Sequence, residues 1–293
     1  MVAAGVKGRR RPVGYRPGAG SAASRAANLV GLSLLAAVFL VPFYLIVRNA
    51  LATTEEITAP GWMWFPSSPA WSNVAELFND PKVPMGRSLW NSAVVGVLTT
   101  VGTLFLCSTA GYGLARISHR HANKIFYAIL ATLMVPSAIT FVPSFVLVSS
   151  LGWVSDLRGL IIPPLFNGFV AFLCRQYFLS FPRELEEAAR VDGLGYWGAF
   201  WRIVMPNSKG FMAAMAVITF VTSWNAFLWP LVIGRSPDSW TVQVALSTFL
   251  TSQSINLPQL FTAAAVAILP LVFVFLFLQR YLVQGVAQTG LKG

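Results

Sequence analysis

Few acidic or histidine side chains occur in this 293-residue chain. Two adjacent carboxylates, Glu186 and Glu187, could in principle act as a general acid and a general base. Neighbouring positions of a helix point in different directions, and we expect both carboxylates to be exposed, so acid-base chemistry is disfavoured. The two histidines, His119 and His121, lie in a short basic segment without nearby Cys, Asp or Glu. They are better interpreted as solvated loop residues than as metal ligands.

The sequence also lacks the usual means of using nucleotides or ion gradients. It contains no G-x-x-x-x-G-K-S/T phosphate loop. The interior portions of its apolar runs carry no ionisable residue of the kind that marks the ion route of a secondary transporter. Cys107 and Cys174 lie within such runs, which favours packing residues over a disulfide or a metal pair. The chain is therefore not predicted to be catalytic, and any energy it uses must come from a partner.

Composition predicts the elements that position these side chains. The chain is 56% hydrophobic and 11% charged, and several uncharged stretches reach the ~20 residues that a helix needs to cross a ~30 Å hydrocarbon layer. We predict an all-α membrane protein with six transmembrane helices. The predicted spans are 28–47, 89–114, 125–149, 159–179, 211–233 and 260–282. Bends are expected at proline, namely at Pro136, Pro143, Pro163, Pro164, Pro230 and Pro270.

The distribution of basic residues predicts the orientation. With a cytoplasmic amino terminus, 16 of the 21 Lys and Arg residues fall on the inner side. Both termini and the segment 180–210 are then cytoplasmic. This bias explains the formal charge of +11 through contact with anionic lipid, so no nucleic-acid partner is expected. Residues 1–25 are predicted to form a basic disordered tail, and residues 26–293 the membrane domain.

The segment 180–210 is predicted to form a polar helical hairpin. Pro182 suits the first turn of a helix, and Gly193 suits its end. Glu186 and Arg190, four residues apart, are expected to form an exposed pair. A second helix should begin after Gly195 and present one apolar face to the spans until Pro206 ends it. The residues of that apolar face are Tyr196, Trp197, Phe200, Trp201 and Val204. An ordinary amphipathic loop on the membrane surface is the alternative.

This segment resembles the EAA signature of permease subunits of ATP-binding-cassette importers. The matching residues are Glu187, Ala188, Ala189, Gly193, Ile203 and Pro206. Further pieces resemble the carbohydrate permeases of the maltose-transporter type. These pieces are Trp90-Asn91-Ser92, residues 110–116, Ser223-Trp224-Asn225, residues 227–230 and residues 290–293. The resemblance covers roughly residues 28–293 and implies the type I importer permease fold.

The resemblance also implies partners. They are a second homologous permease subunit, an ATPase dimer that binds ATP and Mg, an extracytoplasmic solute-binding protein and membrane lipid. No cofactor is expected in this chain itself. The helix from Glu184 to Asp192 would be the coupling helix that docks on the ATPase. The implied docking residues are Glu184, Glu187, Ala188, Ala189, Asp192, Gly193, Ile203 and Pro206. The loop 234–259 would meet the binding protein.

The sequence is compatible with two functions of the chain. The role of the candidate substrate residues also has two alternatives. The first function is a permease subunit for a sugar or related solute, and the second is a membrane scaffold or assembly factor that uses the Glu187 hairpin only for docking. Trp224, Asn225 and Trp229 could face a sugar through hydrogen bonds and ring stacking. The alternative, which we favour over direct sugar contact, is that these three side chains pack between helices or lie at the membrane interface.

Overall fold

A computed structural model describes residues 22–250 and 255–289 of the chain. The predicted tail 1–25 lies almost entirely outside the described residues, as do residues 290–293. The chain divides into two compact units, Met1–Leu45 and Ile46–Gly293. The described part is helical, and its only β-type pairing is an isolated bridge between Leu250 and Ile255. The prediction of an all-α protein is confirmed.

The helices are numbered in chain order. They are α1 (Ala22–Ala50), α2 (Thr54–Thr58), α3 (Ser72–Asn79), α4 (Met85–Arg116), α5 (Ala122–Leu133), α6 (Ser137–Ser150), α7 (Arg158–Ile161), α8 (Gly168–Ser180), α9 (Arg183–Val191), α10 (Tyr196–Ala199), α11 (Met205–Asn207), α12 (Lys209–Trp224), α13 (Leu228–Ile233), α14 (Val242–Ser247) and α15 (Leu257–Thr289). A π-helical turn, Phe200–Val204, joins α10 to α11, and a 3₁₀ turn, Pro237–Ser239, precedes α14.

Three helices are long and apolar enough to cross a membrane. Among the described residues these are α1, α4 and α15, and the number rises to five if each of two bent helix pairs forms one span. The six spans predicted from hydropathy are therefore not counted directly in the structure. The reason is that the third, fourth and fifth predicted spans are interrupted, so no single helix forms any of them.

The third and fourth predicted spans are not continuous helices. In the third, α5 and α6 meet at an angle of 97°, and Pro136 lies at the break, where it lacks an N–H and disfavours helix in the preceding residue. In the fourth, Pro163 and Pro164 separate the single turn of α7 from α8. The side chain of Asn167 then caps α8 by accepting N–H bonds from Phe169 and Val170.

The fifth predicted span is also broken. α12 ends at Trp224 and α13 starts at Leu228. The break precedes Pro230 because a proline ring clashes with the carbonyl four residues earlier, here that of Ala226. The second bent pair joins the segment Tyr196–Asn207 to α12 at 81°. Pro143 and Pro270, by contrast, lie inside the continuous helices α6 and α15.

The helix α4 organises the second unit. It packs against α8 and α12, and α12 packs in turn against α15. One buried cluster lies between α4, α12, α14 and α15, and it includes Met85 and Trp224. A second lies where α4 and α8 approach the hairpin, and it includes Cys107 and Cys174. Both cysteines are free and buried, which confirms the prediction that they are packing residues.

Hydrogen bonds attach the segment 236–242 to the amino-terminal end of α4. The amide of Asn91 donates to the carbonyls of Asp238 and Trp240, at 2.8 and 2.9 Å. The hydroxyl of Ser92 accepts the N–H of Val242 at 2.8 Å. These bonds fix part of the loop 234–259, which was predicted to meet the binding protein. Residues 251–254 of the same loop lie outside the described residues.

Candidate functional site

The hairpin, residues 180–210, begins with the short polar helix α9. Pro182 precedes it, Glu184 lies in its first turn, and Arg190 lies in its last turn, so the charges complement the helix dipole. Gly193 follows it with φ of +80°. The N–H of Gly193 bonds the carbonyl of Arg190, and the N–H of Leu194 bonds that of Ala189. This is the Schellman arrangement that ends helices at glycine, and it confirms the predicted stop.

Gly193→Ala should loosen the end of α9 without any clash. A Cβ added at Gly193 meets no atom within 4 Å, so the cost is the left-handed backbone alone, about 1–2 kcal/mol. We expect faster amide hydrogen exchange at residues 189–194. The matched control is Gly195→Ala, which also meets no atom and has φ of −72°. Equal exchange in the two variants would show that the turn does not need glycine.

Glu186 is the buried anchor of this helix. Its Oε1 lies 2.9 Å from Nε of Arg116, and both side chains are only 4% exposed. The two atoms form a close ion pair without the alignment of a directed hydrogen bond. The hydroxyl of Tyr112 donates to Oε2 of Glu186 at 3.0 Å. Arg116 also donates to the carbonyl of Phe181. We call Tyr112, Arg116 and Glu186 the clamp, because together they hold α9 to the end of α4.

The expectation that Glu186 is exposed and pairs with Arg190 is wrong. The guanidinium of Arg190 lies over the ring of Tyr196, 4.7 Å from its centroid, and Glu186 turns inward to α4. A buried carboxylate needs a charged partner. The side chain of Arg116 is buried beside Glu186, whereas Arg190 is exposed. A local i to i+4 rule cannot detect a partner 70 residues earlier in the chain.

One signal in the sequence could have found the clamp. Tyr112 and Arg116 are four residues apart at the end of an otherwise apolar helix, so they share one face. Gly111 lies beside them and allows α8 to approach closely, since a Cβ there would be 2.6 Å from Cβ of Cys174. A polar pair next to a close helix contact indicates a fixed tertiary contact at this point.

Helix α9 has two different faces outside the clamp. Arg183, Glu187 and Arg190, spaced four and three residues apart, share the face that borders a cavity. Glu184, Ala188 and Val191, with the same spacing, share another face that is exposed to solvent. Val191 is 89% exposed. Val191 was not among the predicted docking residues, although the sequence shows an apolar residue in a polar helix at this position.

The second part of the hairpin differs from its predicted form. Phe200 and Val204 are buried, but Tyr196, Trp197 and Trp201 are exposed, so the predicted apolar face is only partly buried. The π-helical turn Phe200–Val204 adds a residue per turn and shifts the register of the stripe. The helical segment continues past Pro206 to Asn207 and then turns at Ser208.

The remaining predicted docking residues are spread over the hairpin. Ala189 is buried, Asp192 is exposed, and Ile203 is half-buried. Pro206 is exposed, and the contact with the bundle is made by Phe200 and Val204 instead. The structure thus places Glu187, Ala188 and Ala189 on one short helix and Gly193 just after it. Ile203 and Pro206 lie in the following helical segment, Tyr196–Asn207.

The predicted substrate residues lie outside the hairpin, at the end of α12 and in the segment that follows it. Trp224 is buried, and its indole N–H donates to the carbonyl of Ala267 at 3.1 Å. The indole N–H of Trp229 donates to the carbonyl of Gly159 at 3.0 Å. Asn225 is exposed, and its side-chain oxygen accepts a bond from Gln243 at 3.3 Å. Both indole donors are used within the chain, which favours helix packing, and sugar contact stays a prediction.

The fold matches a solved importer. It aligns with a chain from the crystal structure of a bacterial ABC transporter involved in the import of the acidic polysaccharide alginate, with a TM-score of 0.75 and 22% identity, over 89% of this chain and 98% of that one. The fold and the hairpin define a multi-pass helical permease. The chain belongs to the family of binding-protein-dependent transport system inner membrane components, whose model matches residues 107–288. It is a transmembrane permease subunit of an ABC importer.

Three relatives show the same relationship over nearly the whole chain. The arabinooligosaccharides transport permease AraQ of Bacillus subtilis is 34% identical over 89% of this chain and 93% of its own length. The lactose transport permease LacG of Rhizobium radiobacter is 34% identical over 87% and 92%. The sn-glycerol-3-phosphate transport permease UgpE of Yersinia enterocolitica is 30% identical over 89% and 94%. The resemblance seen in the sequence is confirmed, and no comparison supports the scaffold alternative.

Proposed function

We propose that the chain forms, with a second homologous permease, the pathway for a sugar or a related polyol phosphate. A separate ATPase dimer drives the pathway, and an extracytoplasmic binding protein delivers the solute. Support for this solute class comes from relatives named for arabinooligosaccharides, lactose and sn-glycerol-3-phosphate. The chain itself does no covalent chemistry in this proposal, and ATP and Mg are bound by the ATPase. Its termini and hairpin face the cytoplasm, consistent with the basic residues there.

The observation that carries the docking role is the combination of an anchored and an exposed face on α9. The clamp holds one side of α9 to α4, so a force applied to the other side reaches the membrane helices. The exposed side carries Val191, whose apolar surface is unused within the chain. An apolar side chain at the tip of an otherwise polar helix suits insertion into a cleft on a partner. Glu187 is exposed and remains available for a basic residue of the ATPase.

Val191→Asp should disrupt this docking. A charge at the end of the exposed face would have to be buried without a partner on complex formation, so we expect at least a ~10-fold loss of ATPase co-purification. Uptake of the transported solute should fall in parallel, while the amount of chain in the membrane stays constant. The control is Val191→Thr, which keeps the shape and adds no charge. Normal ATPase recovery and uptake with Val191→Asp would exclude this face as the docking surface.

The solute class is tested separately. The binding protein that stimulates uptake through this chain should be screened against oligosaccharides, disaccharides and glycerol phosphates. We expect saturable binding of one of these classes and uptake of the same compound in cells. Selective binding of an amino acid or a metal ion would exclude the solute class and leave the docking role of α9 intact.

A further inference from the structure

A cavity of about 490 Å³ lies beside the clamp. Its walls come from the end of α4, the loop to α5, the end of α8 and the inner face of α9. Four arginines line it: Arg116 of the clamp and three others, Arg175, Arg183 and Arg190. The clamp closes one side, so the cavity is bounded by a fixed part of the fold.

The charges in this cavity are unbalanced. Within the described part of the chain, none of the three arginines forms an ion pair with a carboxylate. Glu186 also borders the cavity, but Arg116 already neutralises it. Glu187 is the other carboxylate among the lining residues. Three guanidinium groups therefore face one free carboxylate, and the surplus is positive.

Arg175 is held in place for contact with an anion. Its guanidinium lies 3.9 Å from the ring centroid of Phe126, and its Nη2 donates to the side-chain oxygen of Asn123 at 3.2 Å. Its Nε is buried and has no hydrogen-bond partner in the described structure. The ring contact and the hydrogen bond to Asn123 hold the guanidinium at the cavity wall.

The border of the cavity is apolar and aromatic. Tyr196 and Leu179 line it and are 42% and 41% exposed, and Trp197 beside Tyr196 is 61% exposed. Tyr and Trp are enriched at the level of lipid headgroups. Basic pockets between membrane helices that open at this level suit phosphate groups.

We propose that this cavity binds a phosphate group. The phosphate is carried by an anionic lipid headgroup or is free in solution, and Arg175, Arg183 and Arg190 bind it through charge-assisted hydrogen bonds. This site adjoins the proposed docking surface at Glu187, which lines the cavity. Arg183 and Arg190 lie on the face of α9 that borders the cavity, while Ala188 and Val191 lie on its other exposed face. The proposal holds whichever solute the importer carries.

The test uses the full chain in the assembly in which it purifies. Native mass spectrometry would measure retention of phosphatidylglycerol against phosphatidylcholine after mild detergent exchange. The double variant R183Q/R190Q should bind phosphatidylglycerol about 30-fold more weakly, which corresponds to about 1 kcal/mol for each arginine removed near anionic lipid. R202Q is the matched control, because Arg202 lies on the same hairpin, is exposed and does not line the cavity. E187Q should strengthen retention, since it removes the competing carboxylate.

A second arm identifies the source of the phosphate. Inorganic phosphate would be titrated against retained phosphatidylglycerol. Competition that R183Q/R190Q abolishes means that free phosphate also occupies the cavity, and absence of competition assigns it to lipid. Both results support the proposal. Equal loss in R202Q and R183Q/R190Q would overturn it in favour of diffuse surface charge. Loss of ATPase recovery in R183Q/R190Q with lipid retention unchanged would overturn it in favour of a carboxylate of the ATPase.

Discussion

Glu186→Ala should abolish solute uptake while the chain still inserts into the membrane. The change leaves the guanidinium of Arg116 buried without its carboxylate and removes the acceptor of the Tyr112 hydroxyl. Removing one partner of a buried ion pair costs about 3–5 kcal/mol. We expect α9 to detach from α4, so that ATP hydrolysis no longer moves the membrane helices. Uptake in cells and the rate of proteolysis within residues 183–209 would measure the two effects.

Two further variants separate position from charge. Glu184→Ala removes an exposed carboxylate two residues earlier in the same helix, and it should leave proteolysis of the hairpin unchanged. The double variant Arg116→Met with Glu186→Met removes both charges, and such replacements are often neutral or stabilising. It should restore resistance to proteolysis. Wild-type uptake in Glu186→Ala would show that the clamp is dispensable for transport.

Gly111→Val should prevent α4 and α8 from packing. Even the first carbon of a side chain at this position would lie 2.6 Å from Cβ of Cys174 and 2.8 Å from the backbone nitrogen of Arg175. A backbone atom cannot move aside as a flexible side chain can, so the two helices must separate. Overpacking of this kind typically costs about 1–3 kcal/mol, and a backbone clash places Gly111→Val at or above the upper end. The midpoint of thermal unfolding in detergent measures it.

Gly113→Ala is the matched control for this prediction. Gly113 is in the same helix, two residues later, and a Cβ there meets no atom within 4 Å. In a helix interior, alanine is favoured over glycine by roughly 0.5–1 kcal/mol, so Gly113→Ala should unfold at the same or a slightly higher temperature. If both variants unfold at the wild-type temperature, the close contact of α4 and α8 is not needed for the fold.

Local signals in the sequence predicted the local structure well. Pro182 and Gly193 bound α9 because proline favours a first turn and glycine accepts the left-handed conformation that ends a helix. The breaks were harder to place. Pro230 was expected to kink the fifth span, but the interruption falls at residues 225–227, where the ring of Pro230 excludes the preceding turn.

Non-local contacts could not be predicted in the same way. Glu186 looked like an exposed residue because its nearest cation in sequence, Arg190, is on the same helix. Its actual partner is at the end of α4, and only the close approach at Gly111 brings α8 and the hairpin to that end. The burial of Trp224 depends likewise on the carbonyl of Ala267 in α15. Such pairings depend on how the helices pack, which hydropathy and spacing do not encode.

The helix α4 links the two ends of this unit without interruption. Its 32 residues contain no proline and, at 1.5 Å per residue, extend about 48 Å. Asn91 and Ser92 bond the segment 236–242 near its start, and Tyr112 and Arg116 hold α9 at its finish. A continuous helix that is bonded at both ends cannot bend easily between them. A tilt imposed on one end of α4 is therefore transmitted to its other end. Solute delivery at the outer end and ATP hydrolysis below the hairpin would then be coupled through this one helix.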